Sequence, residues 1–198
     1  RQLTPEVETL AAALEEDVVY LESSGGRPPD GMPTVAVWLD QFNAAFEREK
    51  LGISDTQYEW NVAVAKYHAE ELLTSADAEE LACMNATNDY RVMMGARRLE
   101  IDERLVRAAR KHSQEMAQLH YFEHSSPKPE NANPGVRCAR EGYSGYGGEN
   151  IAGAGNGVGA FDGWYHSSGH HRNMLGGSQQ FGVGRGGELP GELFTQDF

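Results

Sequence analysis

Residues 102–119, DERLVRAARKHSQEMAQL, are the stretch on which the fold turns. Asp102 is placed to cap a helix N-terminus, and Leu105, Ala108, Ala109, His112, Met116 and Leu119 follow on one face at helical spacing. His112 falls inside that apolar stripe and reads as a buried, hydrogen-bonded core histidine, because buried polar groups are normally paired. Just upstream, Asp77 with Glu80 forms a capping box that opens a second helix, which Gly95 ends. Downstream the character changes. Tyr121 to Gly148 is rich in Pro, Gly, Ser and Asn and reads mostly as loop. Glu149-Asn150-Ile151-Ala152 follows, then alternating glycines from Gly153 to Gly159. Phe161, Trp164 and Tyr165 predict a short amphipathic helix running to about Ser168. Phe181 to Gly184 and Leu193 to Phe198 read as two strands of a hairpin joined by a Gly/Pro turn. Helices followed by a small antiparallel sheet make an α+β layered architecture.

Residues 1–77 have a different make-up. They hold half of the acidic side chains but fewer than a third of the basic ones, in a chain of net charge −13. The step in charge density near Asp77 marks a boundary there. Three helices are expected in this acidic extension. Thr4 caps the first, with Pro5 at its first position and Val7, Leu10, Leu14, Val18 and Leu21 as its stripe. A breaker-rich linker runs from Ser23 to Pro33, and Val35, Leu39, Phe42 and Phe46 mark the second helix, stopped near Gly52. Ser54 and Gln57 box the third, with the stripe Tyr58, Val62, Ala65, Ala69 and Leu72. No catalytic motif occurs here, and no partner for His68 is evident. The segment reads as scaffold, as an acidic interaction surface, or as both.

Composition excludes several classes of function. An acidic chain without a basic, aromatic-interleaved stripe repels phosphate backbones, so nucleic acid is not an expected partner. No run approaches the ~18 apolar residues of a membrane span. The sequence opens on Arg1 without a signal-peptide pattern, which fits either a leader removed upstream or a fragment. Cys83 and Cys138 match neither a CxxC nor a zinc-ribbon spacing. They either pair in an oxidising compartment, closing a long loop for roughly 4 kcal/mol, or remain two separate thiols. There is no GxxxxGK[ST] loop, no HExxH helix and no GxGxxG, and Tyr146 spoils a GxSxG match at residues 142–146.

What remains is a concentration of histidines, six of the 7 lying between positions 112 and 171. His124 ends YFEH, Glu149 sits in GGEN, and His170 and His171 follow WYHSSG. Two imidazoles and a carboxylate are the ligand types of a zinc site with an open water position. Their spacing is non-local, and the same three residues equally suit a hydrogen-bond network that pins loops to the helical layer.

Four blocks of the chain resemble the CAP superfamily of cysteine-rich secretory, antigen-five and pathogenesis-related proteins, in its bacterial form. They are Asn88-Asp89-Tyr90-Arg91 with Leu99 to Leu105, Tyr121-Phe122-Glu123-His124, Gly148 to Ala152, and Trp164 to Leu175 followed by Phe181 to Gly184. The resemblance covers residues 79–198 and implies a three-layer α-β-α sandwich over 78–198, preceded by the all-helical extension 1–77. It implies a central cleft of two histidines and two acids, often with zinc or another divalent cation. His124, Glu149 and His170 match three of these positions. The second acid falls on Ser167, a departure, so His166, Ser167 and His171 are cleft neighbours rather than assigned ligands. Asn88 and Arg91 are expected to anchor loops, Trp164 to sit in the core, and Asn150 and Asn173 to bridge turns near the cleft. The expected function is a secreted or cell-envelope, non-enzymatic binding module for a peptide, carbohydrate or lipid. The alternative is a metal-dependent, peptidase-like hydrolase using His124, Glu149 and His170, in which Glu149 would be the one catalytic candidate. A sterol or fatty-acid carrier ranks third.

Overall fold

The structure is a computed structural model that describes residues 52–70, 72, 74–187 and 191–198, with Pro5, Ala45 and Arg48 the positions described before them. The first two expected helices and the linker between them lie outside the described residues. The chain divides into two compact units, Arg1–Glu59 and Trp60–Phe198. The second unit therefore starts ahead of the charge step at Asp77. Helix α1 (Asp55–Glu70) begins at Ser54, whose Oγ accepts the Gln57 N–H at 3.3 Å.

The buried positions of α1 are Asn61 and Val64, not the expected stripe, and Val62 is half exposed. Hydrogen bonds decide which face packs. Trp60 Nε1 donates to Arg98 O at 2.9 Å, Asn61 Oδ1 accepts the Arg98 N–H at 2.7 Å, and His68 Nε2 accepts the Ile101 N–H at 3.0 Å. Counting apolar side chains could not find a face chosen by backbone partners.

Helix α2 (Ala78–Met93) carries the full capping box: Asp77 accepts from the Glu79 and Glu80 N–H groups, and Glu80 accepts from the Asp77 N–H. Gly95 follows with φ 75°, as expected of a helix stop. The short strand β1 (Glu100–Ile101) leads into α3 (Glu103–Leu119), capped by Asp102. The expected loop contains a 3₁₀ turn (Pro129–Asn131) and helix α4 (Pro134–Arg140), which Asn133 caps. Then come β2 (Glu149–Ala154), α5 (Gly157–Tyr165), α6 (Ser168–Met174), β3 (Gln180–Gly186) and β4 (Glu192–Asp197).

The sheet order is β1-β3-β4-β2, with β1 parallel to β3 and the other pairs antiparallel. The expected hairpin is β3–β4, with Val183 opposite Gln196. Helix α3 covers one face of the sheet, and α2, α5 and α6 pack on the other side. The result is an α-β-α sandwich. Side chains alternate across β3. Phe181 and Val183 enter the core with Met84, Trp164 and Phe194. Gly182, Gly184 and Gly186 alternate with them along the strand and lie directly on the backbone of α3. Of the two readings for the cysteines the structure takes separate thiols, since Cys83 and Cys138 are both free and buried in different core clusters.

Beyond Phe181 the β3 edge has no β1 partner, and Glu80 closes it. Its Oε1 accepts the Arg185 N–H at 2.9 Å and the Arg110 Nε–H at 2.8 Å. One fully buried carboxylate thereby ties α2, α3 and the sheet edge together.

Candidate functional site

The site forms where the loop after α3, the start of edge strand β2 and helix α6 meet. Glu149 opens β2 and is 5% exposed. Its Oε1 accepts from His124 Nδ1 at 2.7 Å and its Oε2 accepts from Arg137 Nη2 at 2.5 Å. His112 Nε2 lies 3.9 Å from Oε1. Arg137, also buried, organises the site: its Nη1 donates to the backbone carbonyls of His124 and Asn131 at 3.0 and 3.1 Å. One guanidinium thus holds both the carboxylate and the loop that carries the first histidine.

The same loop is fastened from the other end by Glu115. Its carboxylate accepts from Tyr121 Oη at 2.7 Å, Asn131 Nδ2 at 2.6 Å and the Ser126 hydroxyl, with Lys128 Nζ at 3.5 Å. Burial alone would raise this carboxyl, but those donors hold it at about 2. His112 is fully enclosed, as its place in the stripe implied. Its Nε2 meets Glu123 O at 3.1 Å, and burial holds its pKa at about 4 despite the nearby Glu149. His124 is half exposed and shifts upward, mainly through its hydrogen bond to Glu149. His170, partly buried on α6, shifts downward through burial and then through the charge of His124.

His112 and His68 together set a pH dependence. Burial, with Arg98 nearby, holds His68 at about 4 as well. Both rings stay neutral in the folded chain, while the unfolded chain takes up protons near pH 6.5. Between about pH 6.5 and pH 4 the unfolded state binds more protons, so stability falls as pH falls through that window and is fully present above it. His124 works in the opposite sense: its contribution is present below pH 6.5 and lost as pH rises through its own higher value. For His112 the loss is at most about 3 kcal/mol. Urea unfolding at pH 7 and pH 5 is expected to show a fall that His112→Gln partly removes; an unchanged fall would disprove the assignment to His112.

Of the other expected neighbours, Ser167 precedes α6 without capping it through its side chain. His166 turns to the Asp162 carbonyl at 2.9 Å, and His171 Nε2 meets Tyr90 Oη at 2.5 Å. Successive helical residues point about 100° apart, and His171 is turned to Tyr90 rather than to Glu149. Asn150 and Asn173 bridge as expected: Asn173 Nδ2 donates to Asn150 Oδ1 at 2.9 Å, and Asn150 Nδ2 donates to His170 O at 3.2 Å. Asn88 and Arg91 hold the Leu99 and Arg97 backbones, and Trp164 is fully buried.

A second carboxyl lies behind Glu149, where the sequence offered none. Asp197 faces Glu149 across the β2–β4 register, is completely buried, and has only the Glu149 carboxylate and the Cys138 thiol as polar side-chain neighbours of its own carboxyl among the described residues. Burial and then the Glu149 charge raise its pKa well above the ordinary range. Enclosed in this way, it cannot meet a ligand in the cleft. A divalent ion would need His124, Glu149 and His170 to converge, but no three His, Cys, Asp or Glu side chains do so among the described residues. Both Glu149 oxygens are turned to Arg137 and His124. As arranged, the donor set does not fit an ion.

An α-β-α sandwich with one histidine on the loop after its long helix, a glutamate opening an edge strand and a second histidine on a short helix defines a secretory-protein-type domain. The chain belongs to that family: residues 84–198 match the cysteine-rich secretory protein family, CAP. It is 32% identical over 126 residues to the uncharacterized protein YkwD of Bacillus subtilis (strain 168), covering 63% of this chain and 48% of that protein. Its fold resembles that of an extracellular protein containing a SCP domain from Bacillus anthracis str. Ames, at 33% identity and a TM-score of 0.52, over 61% of this chain and 39% of the other. An outer surface protein of Borrelia burgdorferi shares the fold at 17% identity and a TM-score of 0.53, over 62% of this chain and 94% of that one. The chain thus spans about half the length of its curated relative. None of its described helices is long and apolar enough to cross a membrane.

Proposed function

We propose that residues 60–198 form an extracytoplasmic, non-enzymatic binding module whose cleft takes an uncharged polar ligand of the cell envelope, a peptide or a saccharide. The observation that carries this reading is the engagement of both Glu149 oxygens by Arg137 and His124. A general base must reach its substrate, but the Glu149 side chain is almost wholly buried, and the one other carboxyl nearby, Asp197, is enclosed. With Glu149 committed to holding the loop, the cleft offers the outer edges of the His124 and His170 rings as hydrogen-bonding groups. Tyr146, whose pKa is pushed up by burial and by Glu149, adds a partly exposed ring on the Glu149 side. The extracellular setting of the Bacillus anthracis protein supports the location.

The test is a calorimetric titration with zinc and calcium, paired with imidazole NMR during titration with neutral peptides and oligosaccharides. Ligand-dependent shifts of His124 and His170, without stoichiometric metal binding, are expected. Metal binding near one equivalent that is lost in both His124→Ala and Glu149→Ala would replace this reading with a metal-dependent hydrolase. Silence of both imidazoles toward every ligand would remove the cleft from recognition.

A further inference from the structure

A pocket of about 380 Å³, within the size range of small-molecule sites, lies away from the histidine cleft and is lined by Trp60, Arg91, Arg97, Arg98 and residues 177–179. Three arginines on one concavity run against the sign of a chain with net charge −13. Their local compensation is thin. Arg98 Nη2 pairs with the exposed Asp89 at 2.8 Å. Arg91 and Arg97 have no carboxylate partner among the described residues.

Arg91 is 3% exposed and is solvated by carbonyls: Nε donates to Arg97 O at 2.7 Å, and Nη1 donates to Met174 O at 2.6 Å and Gly176 O at 3.0 Å. Burial lowers its pKa to about 10, the direction expected of a cation lacking a counter-charge. Arg97 is exposed, and its guanidinium carbon stands 5.9 Å from the centre of the Trp60 ring. Trp60 is itself fixed by its indole bond to Arg98 O. Ser178 and Gln179 complete the wall with neutral polar groups.

We infer that this pocket is a binding site for a small oxyanion ligand, a carboxylate or a phosphate, held by Arg97 and Arg98 with Trp60 as its apolar flank. Arginine forks match the planar geometry of such groups. Arg91 sits beneath as a fixed charge, because its Nη1 already holds the turn after α6 and its Nε the Arg97 carbonyl. The site shares no residue with the cleft of the proposed function, so either can fail without the other.

The test uses the full chain with ¹⁵N-labelled tryptophan, titrated separately with inorganic phosphate and with glucuronate. The indole resonance that disappears in Trp60→Phe is expected to move saturably. Arg97→Glu should weaken the affinity at least about tenfold, whereas Arg140→Glu, an exposed charge on α4, should leave it unchanged. The Trp164 indole reports that each variant is folded. Movement with glucuronate alone assigns a carboxylate ligand, movement with phosphate alone a phosphate, and movement with both a general oxyanion site. No saturable movement with either probe up to ~10 mM, or equal weakening by Arg97→Glu and Arg140→Glu, overturns the inference.

Discussion

Replacing Gly184 by valine is expected to leave no folded protein, and Gly184→Ala is expected to cost more than about 3 kcal/mol. A Cβ at Gly184 would stand 2.0 Å from Arg110 N and 2.3 Å from Arg110 Cα, both backbone atoms of α3. No rotamer relieves such an overlap. The neighbouring glycines repeat it, with Gly182 against Val106 N at 2.2 Å and Gly186 against Gln114 N at 2.4 Å. The match is one of pitch: two residues of strand advance about 6.7 Å and four residues of helix about 6 Å. Every second residue of β3 therefore meets every fourth residue of α3. The helix can lie on the strand without intervening side chains, close enough for Ser113 Oγ to donate to Gly184 O at 2.9 Å. A methyl at Gly184 alone would prise the whole helix off the sheet, because its neighbours keep the contact rigid. Gly153→Ala is the control, since a Cβ there would meet only Leu193 Cδ2 at an ordinary 3.8 Å. Urea unfolding measures both. A Gly184→Ala variant within about 0.5 kcal/mol of the parent would disprove the close-packing account.

That contact also shows what the sequence could and could not reveal. Phe181-Gly182-Val183-Gly184 reads as a strand from its alternation, and Asp102 to Met116 reads as a helix from its stripe. The emptiness of one strand face is visible in the same letters, but the identity of its partner needs the fold. Strand β2 escaped because Glu149, Asn150 and Ile151 are all buried, so the polar–apolar alternation that marks a half-buried strand is absent. Helix α4 is short and sits among breakers, where a cap and about two turns carry little periodic signal. In the site, His124, Glu149 and His170 were found through family-like blocks rather than spacing, since they come from three separate elements. Arg137 and Asp197 gave no signal. The first reaches Glu149 across a loop, and the second meets it only through strand register. For Asp197 the one available hint was the polar run Thr195-Gln196-Asp197 set between Phe194 and Phe198 in the expected strand.

The hidden pair of carboxyls makes Arg137, rather than Glu149, the costliest residue of the cleft to lose. In the parent protein one guanidinium faces Glu149, while burial and the Glu149 charge oppose ionisation of Asp197 behind it. Glu149→Gln removes that charge and with it part of the opposition to ionising Asp197. Asp197 can then supply the compensating charge for Arg137, so the expected loss is only about 1–2 kcal/mol. Arg137→Met leaves two adjacent buried carboxyls without a cation and frees the His124 and Asn131 carbonyls, for an expected loss of about 3–5 kcal/mol. The sign of the pH dependence separates this from simple loss of packing. The Arg137 charge lowers the Asp197 pKa in the parent, so without that cation the carboxyl pair of the folded variant holds on to protons more strongly than the parent's pair does, while the unfolded chain gives them up near pH 4. The folded form then binds more protons, so the extra penalty of Arg137→Met should grow from pH 5 to pH 8. Chemical unfolding of both single variants and of the double variant Glu149→Gln/Arg137→Met at the two pH values measures it. The double variant should recover part of the Arg137→Met loss, because only one buried carboxyl then lacks a partner. Strict additivity of the two losses, with no pH trend, would mean that Glu149, Asp197 and Arg137 do not act as one electrostatic unit.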